Sequence, residues 1–108
     1  MLRTAACDVL GIVHPICQAG MASYTSPELV AAVSNAGGLG VHGTLSRGAP
    51  ELRDLLRATR ELLGERPYGV NHVIPRIDEE AFALCLEERV PVLAFSWGDP
   101  GDHARRAG

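Results

Sequence analysis

Four short segments carry the groups with which this sequence could do chemistry: Gln18-Ala19-Gly20-Met21-Ala22-Ser23, Gly38-Leu39-Gly40-Val41-His42-Gly43, Tyr68-Gly69-Val70-Asn71-His72-Val73 and Ser96-Trp97-Gly98-Asp99-Pro100. The first is small and flexible, the kind of loop whose backbone can lie against a flat ring, although a glycine-containing turn reads the same way. Asn71 offers two N–H donors and an acceptor, which suits the carbonyl and N–H edge of a ring system; it is equally a common turn residue. Ser96 and Trp97 place a hydroxyl and a large flat ring ahead of the turn-formers Gly98 and Pro100, so that segment either walls a pocket or caps a loop.

Other chemistries fail on context. Gly38 to Gly43 satisfies G-x-G-x-x-G, but a dinucleotide fingerprint needs a strand before it and a helix after it. Here a helical pattern stops at Gly37 and a strand pattern runs through the glycines, so the segment reads as a helix cap and a closely packed strand. His14, His42 and His72 fall on three successive strand patterns. His14 lies early in its strand and the other two lie late, and no strand-end carboxylate other than Asp99 completes a shell, so no metal site is expected. Cys17 and Cys85 have no paired base in the local sequence, and no Ser/His/Asp set is recognisable.

The elements that must position these residues alternate. Ile12-Val13-His14-Pro15-Ile16-Cys17 reads as a first strand, with Pro15 confining it to an edge or an irregular ladder. Ser26-Pro27-Glu28 opens a helix whose apolar stripe is Leu29, Ala32, Val33 and Ala36, ending at Gly37-Gly38. Leu39 to His42 is a second strand. Pro50-Glu51 opens a helix with Leu52, Leu55, Leu56, Thr59 and Leu63 on one face, and Gly64 ends it. Tyr68 to Val73 is the third strand, Asp78 caps a helix burying Phe82, Cys85 and Leu86, and Val90 to Phe95 is the fourth. A helical start follows at Asp102 to Arg106. Apolar strands alternating with amphipathic helices indicate a parallel sheet covered by helices, either a doubly wound open sheet or a barrel. Strand starts recur every ~25–30 residues, which matches a full barrel of ~250 residues divided by eight. In both architectures ligands bind at the carboxyl ends of the strands, where the segments above lie.

Bulk properties bound the reading. With 108 residues the chain supports one domain, 1–108. A composition 46% hydrophobic and 21% charged is that of a globular protein. Ten basic and thirteen acidic residues leave a net charge of -3 with the signs interspersed, which points away from nucleic acid and anionic membranes. No apolar run approaches the ~20 residues of a membrane span, and Met1 to Asp8 lacks the apolar stretch of a signal peptide, so a cytoplasmic location is expected. Cys7, Cys17 and Cys85 are odd in number and far apart; they are expected to be reduced thiols, mostly buried.

Taken together, Pro15-Ile16-Cys17-Gln18-Ala19-Gly20-Met21, Ala32-Val33-Ser34-Asn35-Ala36-Gly37-Gly38-Leu39-Gly40 and Tyr68-Gly69-Val70-Asn71 resemble successive signatures of the nitronate monooxygenase family, which includes flavin-type enoyl-acyl-carrier-protein reductases and NAD(P)H:quinone reductases. The resemblance runs from Thr4 to Pro100. It implies the N-terminal half of an α/β (β/α)8 TIM barrel: about four parallel strands with three complete helices, truncated after the fourth strand. It implies an FMN with the Gln18, Ala19, Gly20, Met21 and Ala22 backbone against the isoalloxazine, Asn71 bonded to the ring, and Ser96, Trp97 and Gly98 nearby. The activity implied is oxidation of a small-molecule nitronate by flavin and oxygen, with NAD(P)H as a further partner in some members. The catalytic histidine expected of the family and the phosphate-binding loops fall beyond residue 108, and His103 does not match the catalytic position. Gly20 stands where many members have a proline, and His42-Gly43-Thr44 is not the commonest sequel to the second strand. A half-barrel also leaves open sheet edges, through which self-association, or pairing with a separate second half, is expected.

Overall fold

The computed structural model describes residues 2–108; Met1, with which the reading of the N-terminal segment begins, lies outside the described residues. Along the chain come α1 (Ala5–Leu10), α2 (Pro27–Asn35), β1 (Val41–Gly43), α3 (Ala49–Leu63), β2 (Gly69–Val73), α4 (Glu79–Glu87), β3 (Val92–Ser96) and α5 (Gly101–Ala107), with 3-10 turns at Ala22–Tyr24 and Ile74–Arg76. The helix starts follow from local chemistry. Ser26 Oγ accepts the Leu29 N–H at 3.1 Å with Pro27 in the first turn, and Asp78 Oδ1 accepts from Glu80 and Ala81 at 2.9 and 3.2 Å. Gly64, at φ 64°, ends α3 where a side chain would be strained.

The strands are parallel in the order β1-β2-β3, and the register places Gly43, Asn71 and Ala94 in one row across the sheet. Alternation turns Val70 and His72 toward the helices and Gly69, Asn71 and Val73 to the opposite face. Between sheet and helices, Val30, Leu52, Leu56, Tyr68, Val70 and Leu84 form the larger core. A second cluster of Cys7, Ile12, Leu39 and Val41, with Leu10 and Val92 against it, shows α1 covering the amino end of the other face. The sequence reading treated this segment only as a short leader. β3 is half-buried along its whole length, as an outer strand must be.

Two expectations are corrected. The first strand does not form: residues 12–17 contribute a single parallel bridge, Cys17 to Leu39. Pro15 has no N–H to give a ladder, and the Gly37 carbonyl receives both the Val13 and the His14 N–H at 2.9 Å, tying that stretch to the end of α2 instead. The parallel sheet therefore has three strands among the described residues, with Cys17 bridged at its edge.

The buried face of α2 is rotated from the expected stripe. Val30, Ala31 and Ser34 are buried, while Leu29 and Val33 are half-buried and Ala32 and Ala36 are exposed. With nearly every residue of α2 apolar or small, periodicity alone does not choose a face. Close approach to the sheet does: a Cβ on Gly40 would lie 2.1 Å from the Val30 carbonyl oxygen, and Ser34 Oγ accepts the Gly40 N–H at 2.9 Å. The cysteines are free thiols and mostly buried, as expected. Cys7 and Cys85 are buried, but Cys17 is exposed.

Candidate functional site

The glycines around β1 work by proximity. Besides Gly40, a Cβ on Gly38 would meet the Ile16 carbonyl oxygen at 2.7 Å, and one on Gly43 would meet the Ala22 nitrogen at 2.3 Å. The G-x-G-x-x-G spacing is thus a requirement for backbone to touch backbone, and the loop that follows the Cys17 bridge is drawn down onto the carboxyl end of β1.

Gln18 holds that loop in place. Its amide Nε2 donates to the Val41 carbonyl at 2.8 Å and its Oε1 accepts the Val41 N–H at 3.1 Å. The side chain imitates a peptide group and continues the ladder that the Gln18 N–H begins at Leu39 O, 2.9 Å. Nε2 also reaches the Ala19 carbonyl. Gly20 then passes over the sheet so closely that a Cβ would lie 2.9 Å from Asn71 Cβ and 3.2 Å from the His42 carbonyl oxygen.

Asn71 and Ser96 stand on neighbouring strands at the carboxyl end of the sheet. Asn71 Nδ2 donates to Ser96 Oγ at 3.3 Å, and the hydroxyl donates back toward Oδ1 at 3.5 Å. Together with Gln18, Ala19 and Gly20 they line an open groove of about 320 Å³, which Cys17, Val41 and Ala94 complete. Its lining is largely apolar, with the neutral Asn71 amide and the Ser96 hydroxyl among it. The carbonyl of Asn71 is held by Thr44 Oγ1 at 2.9 Å, which leaves the strand end fixed while the amide faces the groove.

Five of the nine sequence-designated residues, Gln18, Ala19, Gly20, Asn71 and Ser96, meet in this groove. The others do not line it. Met21 is exposed, Ala22 takes φ 47° and faces the neighbouring concavity, and Trp97 projects at 81% exposure from φ 67°. Gly98 lies against Ile74, where a Cβ would sit 2.9 Å from Ile74 Cγ2. Sequence reasoning missed Cys17, Val41 and Ala94. Ala94 was within reach, since it lies two residues before Ser96 and so shares its face.

Beside this groove, the loop after β1, the 3-10 turn after β2 and the first residue of the α4 cap surround a concavity of about 500 Å³ lined by Ala22, Thr44, Ser46, Arg47, Arg76 and Asp78 among others. Arg47 is 7% exposed and clasps the loop above it: Nη1 donates to Thr25 Oγ1 at 3.4 Å and to Gly43 O at 3.3 Å, and Nη2 reaches the Thr25 carbonyl. Thr25 Oγ1 in turn accepts the Gly43 N–H at 3.0 Å. Burial lowers the Arg47 pKa, and Glu51 opposes that effect.

The strand histidines face the helices. His42 Nε2 lies 2.8 Å from Thr59 Oγ1, whose hydroxyl donates to Leu55 O at 2.6 Å, so the threonine accepts and His42 is the neutral Nε2–H tautomer. Its Nδ1 has no partner among the described residues; burial first, and Arg47 second, push its pKa down to about 4. His72 sits between Phe82 and Phe95, neither ring nitrogen is bonded among the described residues, and burial, with His103 behind it, lowers its pKa to about 4. His103 bonds Glu79 at 2.6 Å and stands edge-on to Phe82. Among the described residues, no three or more His, Cys, Asp or Glu groups converge as metal ligands, and no helix is long and apolar enough to cross a membrane.

The family model described as nitronate monooxygenase matches residues 3–100. A probable nitronate monooxygenase of Staphylococcus saprophyticus is 45% identical over an alignment of 135 residues, covering 92% of this chain and 38% of that protein. A Rhodococcus jostii dehydrogenase acting on a hydroxy-methyl-oxo-octahydroindene-carboxyl-CoA is 35% identical over 96 residues, 88% of this chain and 27% of the relative. Among solved structures, FabK from Thermotoga maritima superposes with TM-score 0.91 at 37% identity, covering 98% of this chain and 34% of that one. A nitroalkane oxidase from Streptomyces ansochromogenes superposes with TM-score 0.78 at 28% identity, over 97% of this chain and 40% of the other. The chain thus spans roughly a quarter to two fifths of the length of these relatives, and its architecture is that of the N-terminal part of their TIM barrel.

Proposed function

The chain belongs to the nitronate monooxygenase family, and from that premise we propose that residues 1–108 act as one unit supplying the ring-facing floor of an FMN-dependent oxidoreductase. The observation that carries this reading is the convergence of Gln18, Ala19, Gly20, Asn71 and Ser96 on one groove at the carboxyl ends of parallel strands. The residues present fit a flavin ring. Gly20 offers bare backbone where a Cβ would strike Asn71, Val41 and Ala94 give an apolar bed, and the Asn71 amide and Ser96 hydroxyl can each turn from one another to a ring heteroatom. All of these groups are neutral, so they orient a ring without fixing its charge.

Bound FMN would supply the two-electron redox chemistry that no side chain here provides. The chain's own work is positional. The Gln18 amide, by its two bonds to Val41, fixes the height of the loop above the sheet, and the Thr44 bond to the Asn71 carbonyl fixes the strand end from which the Asn71 amide projects. Met21, Ala22, Trp97 and Gly98 do not line this floor and are assigned no part in holding the ring. The substrate is an alkyl nitronate with oxygen as electron acceptor and NAD(P)H as a further electron donor. A second reading, reduction or dehydrogenation of a thioester substrate, is favoured by the Rhodococcus relative that acts on a CoA ester.

The test is FMN titration of the 108-residue chain and of Asn71→Ala, followed by quenching of flavin fluorescence. Loss of one net hydrogen bond weakens binding by about 1 kcal/mol, or roughly fivefold. An unchanged dissociation constant in Asn71→Ala removes Asn71 from the site, and absence of saturable FMN binding by the unsubstituted chain removes the flavin reading for these residues.

A further inference from the structure

Arg47 presents a problem that the flavin groove does not solve. Only 7% of Arg47 is exposed and its Nε is buried without a hydrogen-bond partner, yet among the described residues no carboxylate comes within ion-pair distance of it. Buried charges in proteins are paired, because the desolvation cost of an isolated one exceeds what a few neutral hydrogen bonds return. A second guanidinium, Arg76, lines the same concavity of about 500 Å³ and is likewise free of carboxylate partners among the described residues. Of the acidic groups nearby, Asp78 spends its Oδ1 on the first N–H groups of α4, and Glu51 acts on Arg47 only at longer range. The fifteen-residue α3 begins at this concavity too, at Gly48, with no side chain capping its first N–H groups.

The concavity adjoins the flavin groove. Ala22, two residues beyond Gly20, lines it, and Thr44, on its wall, holds the carbonyl of Asn71. An anion seated against Arg47 and Arg76 would therefore belong to a molecule whose other end reaches the ring.

We propose that the Arg47–Arg76 concavity binds the phosphate or pyrophosphate tail of the molecule that exchanges electrons with the flavin. This rests on the reading of the adjoining groove as the flavin floor. Two sources carry such a tail, a nicotinamide dinucleotide and a phosphopantetheine-borne thioester, and the chemistry recognised is common to both. A planar guanidinium pair with uncapped helix N–H groups selects phosphate oxygens over a lone carboxylate by the number of donors it can present.

Titration calorimetry of the 108-residue chain with inorganic pyrophosphate tests the site. Saturable binding is expected, weakened about tenfold in Arg76→Gln by loss of one charge-assisted contact and weakened in both proteins by added salt. No saturable binding, or equal binding by the two proteins, overturns the proposal. Arg47→Gln carries a folding risk because Arg47 clasps Thr25 and Gly43; where circular dichroism shows it folded, pyrophosphate affinity equal to that of the unsubstituted chain also overturns it. ADP-ribose and desulfo-coenzyme A then separate the sources. Tighter binding of the first than of pyrophosphate assigns the dinucleotide, tighter binding of the second assigns the thioester carrier, and no gain from either refutes a co-substrate tail. FMN affinity measured on the same samples keeps the two readings apart. Arg76→Gln retains flavin affinity if the sites are distinct, and pyrophosphate binding without any FMN binding would sink the flavin floor alone.

Discussion

Acidification should unfold this protein through two histidines that the helices bury, His42 and His72. Both have ordinary pKa values near 6.5 and are held at about 4 in the folded chain, in each case chiefly by burial. The unfolded chain therefore takes up two protons as pH falls through 6.5, whereas the folded chain refuses them until about pH 4. Stability is fully present above the unfolded value, declines between those limits and levels off below the folded value as far as these two groups are concerned. At about 1.4 kcal/mol per pH unit, each histidine removes on the order of 3 kcal/mol. Together they reach a sum comparable with the whole stability of a small domain, about 5–15 kcal/mol. The structural reasons differ. Among the described residues, a proton on His42 Nδ1 would create a donor with no acceptor beside the Arg47 charge, while a proton on His72 would place a cation between Phe82 and Phe95 with no hydrogen bond at either nitrogen. Urea unfolding followed by circular dichroism at intervals from pH 7.5 to 4.5 should show the midpoint falling steeply below pH 6.5, and His72→Leu should remove about half of that fall. A midpoint constant across this range, or a slope unaltered in His72→Leu, refutes the assignment of these rings as neutral in the fold.

Gln18→Ala removes both bonds to Val41 and leaves its N–H and C=O without those partners, so it should cost about 1–3 kcal/mol in denaturant unfolding; a change within about 0.5 kcal/mol, the scatter of such measurements, would show that the ladder does not depend on the side chain. Gly40→Ala puts a Cβ 2.1 Å from the Val30 carbonyl oxygen, an overlap only backbone movement can relieve; a loss at the upper end of the overpacking range, about 3 kcal/mol, is expected, and wild-type stability would contradict the close approach of α2 to the sheet. Of the three thiols, Cys17 should alkylate rapidly while Cys7 and Cys85, the latter pushed up to about 12 by burial, react only on unfolding. Bound FMN should slow the Cys17 reaction, since that residue lines the groove; a labelling rate indifferent to saturating FMN would separate the thiol from the flavin.

The elements were legible where local chemistry is decisive. Ser26-Pro27 and Asp78 announce α2 and α4, Gly64 ends α3, and of the expected α3 stripe Leu52, Leu56, Thr59 and Leu63 are buried while Leu55 is half-buried. The parallel order followed from strands alternating with helices. Legibility failed where the outcome depended on partners distant in sequence. Pro15 signalled an irregular strand, but that the Val13 and His14 N–H groups would both turn to Gly37 was not written in residues 12–17. The face of α2 was decided by the approach of Gly40 to Val30, not by the helix's own apolar residues.

The candidate site divides the same way. Residue types and order alone marked Gln18 to Ala22, Asn71 and Ser96 to Gly98 as strand-end segments, because small loops, amides and hydroxyls after parallel strands are a local pattern; their flavin roles came from the resemblance to a family. Which of them share a groove was set by sheet register, which aligns Gly43, Asn71 and Ala94, and by the Gln18 bonds to Val41 that lower the first loop onto that row. Tertiary structure alone put Trp97 in solvent, brought Cys17 to the rim and left Arg47 buried with no counterion among the described residues. Propensity and capping act over a few residues and can be read along a chain; burial and pairing of charge are properties of the space that residues far apart enclose, and exist only once the chain has folded around it.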